Sequence, residues 1–263
     1  GIVIGVASVI IMVNLGAGAT LQVKQQIESL GSNLLFLRPG QRFGHGSRTP
    51  APPFKLDDVE AIAREISGVA AVAPLANRAM VAVYGNENWN TSVTGSDNRY
   101  FRVGNWEFAE GRDFSDSELR TGRSVCVIGE TVREKLFGAQ SPIGSSIRLQ
   151  KISCEVIGLL QSKGQSAGGS DQDDTIVMPL RTFWRRIAGN QDVQRVSISA
   201  RDGVSTTLVQ RDIENLMREI RRIGPGKEDD FSVMDMQEIA RTLTGTTQIL
   251  TALLGAVAAV SLL

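Results

Sequence analysis

Residues 2–19 read IVIGVASVIIMVNLGAGA, an apolar run with no charged side chain. At about 1.5 Å per residue, roughly 18 residues of helix span about 27 Å, close to the hydrocarbon thickness of a bilayer. Ser8 can bond back to its own helix backbone, and Asn14 needs a partner helix or water. Gly5, Gly16 and Gly18 would weaken a soluble helix but allow a second membrane helix to approach closely. The stretch therefore predicts a transmembrane helix. Ala17-Gly18-Ala19 resembles a signal-peptide cleavage site, but no basic segment precedes the apolar core. A buried soluble helix is the other alternative, and uncharged runs of this length are rare in globular domains.

The far end repeats the pattern. Residues 249–263 read ILTALLGAVAAVSLL, about 15 apolar residues against the roughly 20 needed to span. They predict the start of a second membrane helix that is cut off partway. The expected plan is helix, large polar insert, helix, with both helices entering one side of one membrane as neighbours.

Between the ends lies enough chain for one large domain or two small ones with real cores. Lys plus Arg and Asp plus Glu each number 28 in the 263 residues, for a formal net charge of +0. No basic surplus points to nucleic acid, and no polybasic run points to anionic lipid. The two cysteines, Cys126 and Cys154, are too few for a disulfide framework or a four-ligand zinc site. They read either as buried small apolar residues or as one disulfide between neighbouring strands.

Leu21 to Leu30 carries the first helix out of the membrane. Val23, Ile27 and Leu30 fall at i, i+4 and i+7, giving an amphipathic stalk that Gly31 stops. Asn33 to Arg38 predicts a strand. Residues 40–53, with the lone histidine His45, predict a flexible loop without assigned chemistry. A helix is expected over 57–67 behind an Asp57/Glu60 capping box. Strands follow at 69–74 and 79–84, and a turn at 85–88 returns the chain through 89–94. Composition shifts near Trp106, which reads as a boundary with tight turns.

Further strands are expected at 124–128, 146–149, 154–160, 175–178, 196–200 and 231–234. Helices are expected at 130–137, 180–188 and 206–223, the last with Leu208, Val209, Ile213, Leu216, Met217 and Ile220 on its buried face. Asp235 and Glu238 form a capping box. Ile239 and Leu243 then carry an apolar stripe along a second stalk.

Three patterns could carry chemistry. Gly164-Gln165-Ser166-Ala167-Gly168 matches the nucleophile elbow, but it sits in a polar loop with no nearby histidine. Asp171, Asp173 and Asp174 form an acidic cluster without the EF-hand glycine and glutamate, and read as a solvated loop. No P-loop is present. The expected catalytic, cofactor and metal residues are therefore none.

Several blocks together resemble a known family. ESLGSNLLFLRPG (28–40), AEGRDF (109–114), VIGETVREKLFG (127–138), SPIGSSIR (141–148), EVIGLL (155–160) and DDTIVMPL (173–180) resemble, in order, the MacB-like periplasmic core domain. That domain occurs in ABC transporter permeases of the MacB/FtsX superfamily. Ser145-Ser146 departs from the Lys-Thr common after PIG.

The resemblance implies an α+β periplasmic head of two subdomains, porter-like flanks with a small inserted α/β subdomain. The expected division is 1–30 first membrane helix and stalk, 31–106 porter-like part, 107–190 insert, 191–235 second porter-like part, and 236–263 second stalk and truncated helix. It further implies a multi-pass inner-membrane protein, dimers of permeases (homo- or heterodimer), and a cytoplasmic ATPase domain or subunit holding ATP and Mg. Often a periplasmic adaptor and an outer-membrane channel join them. Substrates would be drugs, peptides or lipoproteins. A regulator of cell-wall hydrolases of the FtsX kind is the family's alternative, and a membrane-tethered binding or sensor module the alternative outside it. Val23, Ile27, Leu30, Ile239 and Leu243 are the expected coupling residues, since stiff helices could carry ATP-driven motion to the head.

Overall fold

Leu35 and Leu37 lie fully buried on one face of the first strand, while Leu34 and Phe36 face the other way. That period-2 alternation is the pattern of a sheet with two different environments. The structure, a computed structural model, describes residues 18, 33–40, 51–166, 170–239 and 242. The expected membrane helices and most of both stalks lie outside them. Among the described residues no helix is long and apolar enough to cross a membrane.

The elements in chain order are β1 (Leu34–Pro39), α1 (Leu56–Glu65), β2 (Val69–Tyr84), β3 (Glu87–Ser96) and α2 (Arg99–Val103). Next come β4 (Phe108–Gly111), α3 (Asp116–Thr121), β5 (Val125–Ile128), α4 (Glu130–Phe137), β6 (Ser146–Leu149) and β7 (Ile152–Leu160). The chain continues through β8 (Thr175–Pro179), α5 (Leu180–Phe183), β9 (Arg195–Ala200), α6 (Thr206–Ile220) and β10 (Phe231–Asp235). A short helical start at 236–239 follows β10 directly. The architecture is α+β.

The order β10-β1-β9-β2 forms an antiparallel sheet. Helices α1 and α6 cover one of its faces, where Val59, Ile62, Val209, Ile213 and Met217 join Leu35, Leu37, Val196 and Ile198. Helix α1 starts at Leu56, because Phe54 is held extended by paired backbone bonds to Val193 at 3.0 and 2.9 Å. Its capping carboxylate is Asp58, which accepts from the Lys55 backbone N–H at 2.8 Å. The Asp57/Glu60 box therefore gives way to one shifted by the earlier start, and Glu60 pairs with Arg99 instead, at 2.9 Å.

Strand β2 runs unbroken for 16 residues, where the sequence suggested two strands interrupted at residues 75–78. The neighbour changes rather than the strand. Val69–Leu75 pairs with β9, and Ala76–Tyr84 pairs with β3. Pro74 sits at this handover, and its carbonyl accepts from the Ser96 hydroxyl at 2.7 Å.

Beyond the handover the strands close on themselves. β2 pairs β3, β3 pairs β8, β8 pairs β5, β5 pairs β7, β7 pairs β6, and β6 returns to β2. The closing seam is short, Ala82↔Leu149 and Val83↔Arg148. Closure removes exposed edges, and the ring is filled by side chains from every strand, among them Met80, Val93, Ile128, Ile147, Val156 and Met178. Strand β5 is buried on both faces, so VCVI reads as a continuous apolar run. Cys126 and Cys154 are buried here as free thiols.

This ladder crosses the boundary expected at residue 106. β2 and β3, on one side of it, hydrogen-bond to β6 and β8, on the other. Among the described residues β9 pairs with β1 and β2, and β5 with β7 and β8, all within one continuous ten-stranded sheet. One short strand, β4, lies within the stretch 104–114 that read as tight turns, and the short helices α2 and α3 flank it. The expected helix 180–188 is α-helical to Phe183 and then widens into a π-turn, Trp184–Ala188.

Candidate functional site

The chain enters the described head at Asn33 and leaves it at Met236, and these two points are neighbours. β1 and β10 pair antiparallel with Leu35 opposite Asp235, so both flanks depart from the same end of one sheet. Asp235 is buried, and its carboxylate ties three segments together. One oxygen accepts from Thr206 Oγ1 of α6 at 2.5 Å, and the other from the backbone N–H of Gln237 at 2.8 Å. The second bond caps the helical start at 236, as the expected role of Asp235 required.

Above this junction sits a small apolar cluster of its own. Leu34 of β1, Ala73 of β2 and Val103 of α2 are its buried members, with Phe36, Tyr100 and Met236 packed against them. Tyr100 also touches a second cluster containing Phe101, Phe114, Val125 and Val127. Helix α2 is thus a wedge between the junction and the closed ring. It is held by the Asp97 carboxylate, which accepts from Arg99 at 2.7 Å, and by the Asn98 side chain, which accepts from Phe114 N–H and donates to its carbonyl. Burial pushes the Tyr100 phenol up to about 12.

Beside the wedge a cleft of about 370 Å³ opens on the face of the sheet opposite α1 and α6. Phe36, Leu75, Val103 and Trp106 supply its apolar wall, with Arg195 and Gln172 among the polar groups. Gly104 lies under the Trp106 ring, since a Cβ there would fall 2.7 Å from the indole. The Lys163 ammonium sits 4.7 Å from the centre of the same ring and donates to Gly104 O at 2.6 Å. That burial pulls the Lys163 pKa down.

The acidic loop departs from expectation. Asp173 is buried, not solvated. Its carboxylate accepts from Ser162 Oγ at 2.5 Å and from the backbone N–H groups of Lys163 and Gly164 at 2.9 Å each. Asp174 accepts from Trp89 Nε1 at 2.9 Å, and Asp171 from Thr131. The carboxylate oxygens are thus spent on holding a loop. The backbone of Asp173 lies against Gly129, where a Cβ would meet the Asp173 carbonyl at 2.1 Å. Ser166 Oγ lies 2.7 Å from Ser170 Oγ, within hydrogen-bond distance.

Of the expected coupling residues, Ile239 is described, half-buried in the helical start after β10. Val23, Ile27, Leu30 and Leu243 lie outside the described residues, as does His45. The wedge α2 and the junction cluster were missed, because a five-residue helix is too short for periodicity to register. Helix α3 carried a usable signal in Ser115 and Glu118, which do form a capping box.

The model of the MacB-like periplasmic core domain matches residues 1–216. The chain belongs to that family. Its relatives include the macrolide export ATP-binding/permease protein MacB of Bdellovibrio bacteriovorus, 40% identical over 266 residues that cover 100% of this chain and 41% of that protein. The pyoverdine export ATP-binding/permease protein PvdT of Pseudomonas syringae is 34% identical over 264 residues, covering 100% of this chain and 39% of that protein. The chain thus spans about two fifths of the length of the curated relatives it matches. Among solved structures, the periplasmic region of MacB from Actinobacillus actinomycetemcomitans superposes with a TM-score of 0.69 at 21% identity, covering 84% of this chain and 97% of that one. The extracellular domain of the transporter YknZ from Gram-positive bacteria gives a TM-score of 0.61 at 22% identity, covering 77% and 100%. This MacB-like core domain therefore shares its fold with heads from both kinds of cell envelope. The family is that of a transporter permease domain, which fits a head built around two adjacent flanks.

Proposed function

We propose that this MacB-like core domain is the periplasmic head of an inner-membrane ABC exporter and transmits ATP-driven motion to its substrate path. The observation that carries the reading is the Leu35↔Asp235 pairing, which puts both flanks of the head side by side. Two helices rising from one membrane would then meet the head at a single junction, and relative movement of the helices would shear the β1–β10 pair. The export named in the relatives supports the substrate direction. ATP and Mg belong to an ATPase domain or subunit outside this chain. A dimer of permeases, a periplasmic adaptor and an outer-membrane channel complete the proposed assembly, and the exported compound is a drug, peptide or lipoprotein.

We divide the head into two subdomains, the α1/α6-covered sheet and the closed ring. The sheet is the porter-like part, and 107–190 supplies most of the ring.

The stalk stripes, Val23, Ile27 and Leu30 on the first helix with Ile239 and Leu243 on the second, are the coupling contacts of this reading. Stiff transmission needs close apolar packing. Ile27→Ala together with Leu243→Ala should uncouple the machine: basal ATP hydrolysis is retained, efflux falls, and the protein still inserts. ATPase rate and efflux are measured together on the complete transporter. Normal efflux in the double variant overturns the coupling role.

A further inference from the structure

A second hollow, of about 660 Å³, lies between the start of α1, the end of α3, and α5 with its π-turn. Its charged wall is Lys55, Arg120, Arg181 and Arg185 against Asp57 and Asp192. Four cations over two carboxylates leave a surplus of two positive charges. Among the described residues none of these four cations has a carboxylate within ion-pair distance. Helix geometry holds the arginines in place. Helix α3 ends at Thr121, and Gly122 follows in a left-handed turn with φ 66°, which leaves the last carbonyls in need of donors. Arg120 O accepts from Arg181 at 3.0 Å, Thr121 O from Arg185 at 3.4 Å, and Arg123 O from the Thr182 hydroxyl at 3.0 Å. A guanidinium carries five N–H donors, so most of them remain for another acceptor. The bias extends past the hollow. Residues 119–129 and 175–191 hold five arginines and no aspartate or glutamate, in a chain balanced at 28 against 28. Arg123 and Arg186, which do not line the hollow, are exposed beside it in sequence.

Position narrows the occupant. Gln191 and Asp192 lead into Val193, whose bridge to Phe54 precedes α1. β9 then runs through Arg195–Ala200 to the junction, where Ala200 N–H donates to Asn33 O at 2.8 Å. At about 3.3 Å per residue the hollow stands roughly 20 Å from the flanks, at the opposite end of the sheet. A bilayer that holds the flanks lies on the wrong side to meet it. The two acidic runs of this chain are engaged internally. Asp171, Asp173 and Asp174 hold their loop, and Asp229 and Asp230 pair with Arg218 and Arg221. A different chain is the better source of carboxylates. We propose that this surface docks an acidic segment of a separate protein partner, its carboxylates forked by Arg120, Arg181 and Arg185 and its aliphatic stems on Leu56 and Trp184. The planar guanidinium suits bidentate carboxylates. An extended partner, rather than a free small anion, matches a positive surface that continues to Arg123 and Arg186. The hollow touches α1 on the sheet and α3 and α5 beside the ring, so a seated partner braces both. Its placement away from the membrane rests on the exporter reading; the charge match does not.

The test uses the complete membrane protein in nanodiscs of zwitterionic lipid, with rhodamine-labelled octaglutamate as the probe and labelled octaglutamine as its neutral twin. Fluorescence anisotropy reports binding. The acidic peptide should bind saturably below about 1 mM and at least about tenfold more tightly than its twin, and should lose that margin in about 1 M salt. Arg120→Glu, at an exposed position, should weaken it about tenfold. Arg181→Gln with Arg185→Gln, which keeps donors for the α3 carbonyls, should do the same. Asp57→Asn with Asp192→Asn should tighten it severalfold, a gain that loss of structure cannot produce. Arg211→Gln, on the exposed face of α6, should change nothing. Equal binding of the twins, indifference to Arg120→Glu, or no tightening in the aspartate pair each overturns the proposal. Displacement by inorganic phosphate, where sodium chloride of equal ionic strength has no effect, reassigns the surface to a small anion and overturns the protein partner. A change of oligomeric state in Arg120→Glu, read by light scattering, assigns it to a second copy of this chain and overturns the separate partner. ATP-driven efflux is scored separately, so its absence refutes the exporter reading and leaves this one standing.

Discussion

Glu118 shows what a buried carboxylate does in this head. It is bound bidentately by Arg112, at 2.8 and 2.9 Å, and also accepts from the backbone N–H and hydroxyl of Ser115. The Arg112 hydrogen bonds come first among the causes that lower its pKa from 4.5 to about 2, with burial opposing them. A carboxyl held low in the folded state adds stability above its unfolded value and loses it as the proton returns. The contribution is thus full above pH 4.5 and fades between there and about pH 2. Arg112 is half in solvent, 53% exposed in its side chain, so screening keeps the worth to roughly 1–2 kcal/mol. Glu118→Gln should lower stability by that amount at neutral pH and flatten the acid limb of the denaturation midpoint against pH. An unchanged acid limb would mean that Arg112 holds Glu118 no better than solvent does. Asp173 and Asp235 are used in the same way, as buried acceptors for backbone N–H groups; Asp235 was legible as a helix cap, and Asp173 was not. A spacing of D-x-D-D says that charge is dense; it does not say which oxygen meets a buried amide.

At the scale of elements, the junction stands or falls with Asp235. Removing its carboxylate leaves the Thr206 hydroxyl and the Gln237 N–H without their partner. Asp235→Ala should cost about 2–4 kcal/mol and speed amide exchange at residues 236–239 well before the rest of the head opens. Exchange there that matches the unaltered protein would assign the helix start to packing by Met236 alone. Much of the element order was readable. Helix α4 lies at Glu130–Phe137, where its Gly138 stop placed it, and α6 buries Val209, Ile213 and Met217 on the expected face, while Leu208 and Ile220, expected there too, flank that stripe and are exposed. Long periodic stretches gave themselves away because their burial repeats. β2 did not, because Pro74 and Asn77-Arg78 look like breakers when only local chemistry is visible. The partner change that excuses them is a long-range fact, made by β9 and β3 from opposite sides. The ring was hidden for the same reason, since four of its pairings join strands far apart in sequence. The cleft combines β1, β9, α2 and the loop before β8, and no single stretch announces it.

At the scale of the whole head, the ring closes at the β6–β2 seam, which has two residue pairs, as few as β5–β8. Leu149 is fully buried beside it. Leu149→Ala leaves a void worth about 2–5 kcal/mol, and the seam should open first. Amide exchange at residues 82–84 and 146–149 should then outpace exchange in β5 and β8, whereas uniform acceleration around the ring would show that closure is cooperative. The unbroken β2 has a different consequence. Its 16 residues extend on the order of 50 Å at about 3.3 Å each, from the sheet under α1 into the wall of the ring. A cooper would say that two of the six staves, β2 and β3, come from outside the 107–190 segment. Chimeras that exchange only that segment between relatives must therefore rebuild a barrel from mismatched wood. Grafts cut at the handover near Leu75 and after Ser96, with 107–190 carried along, keep all six staves from one parent.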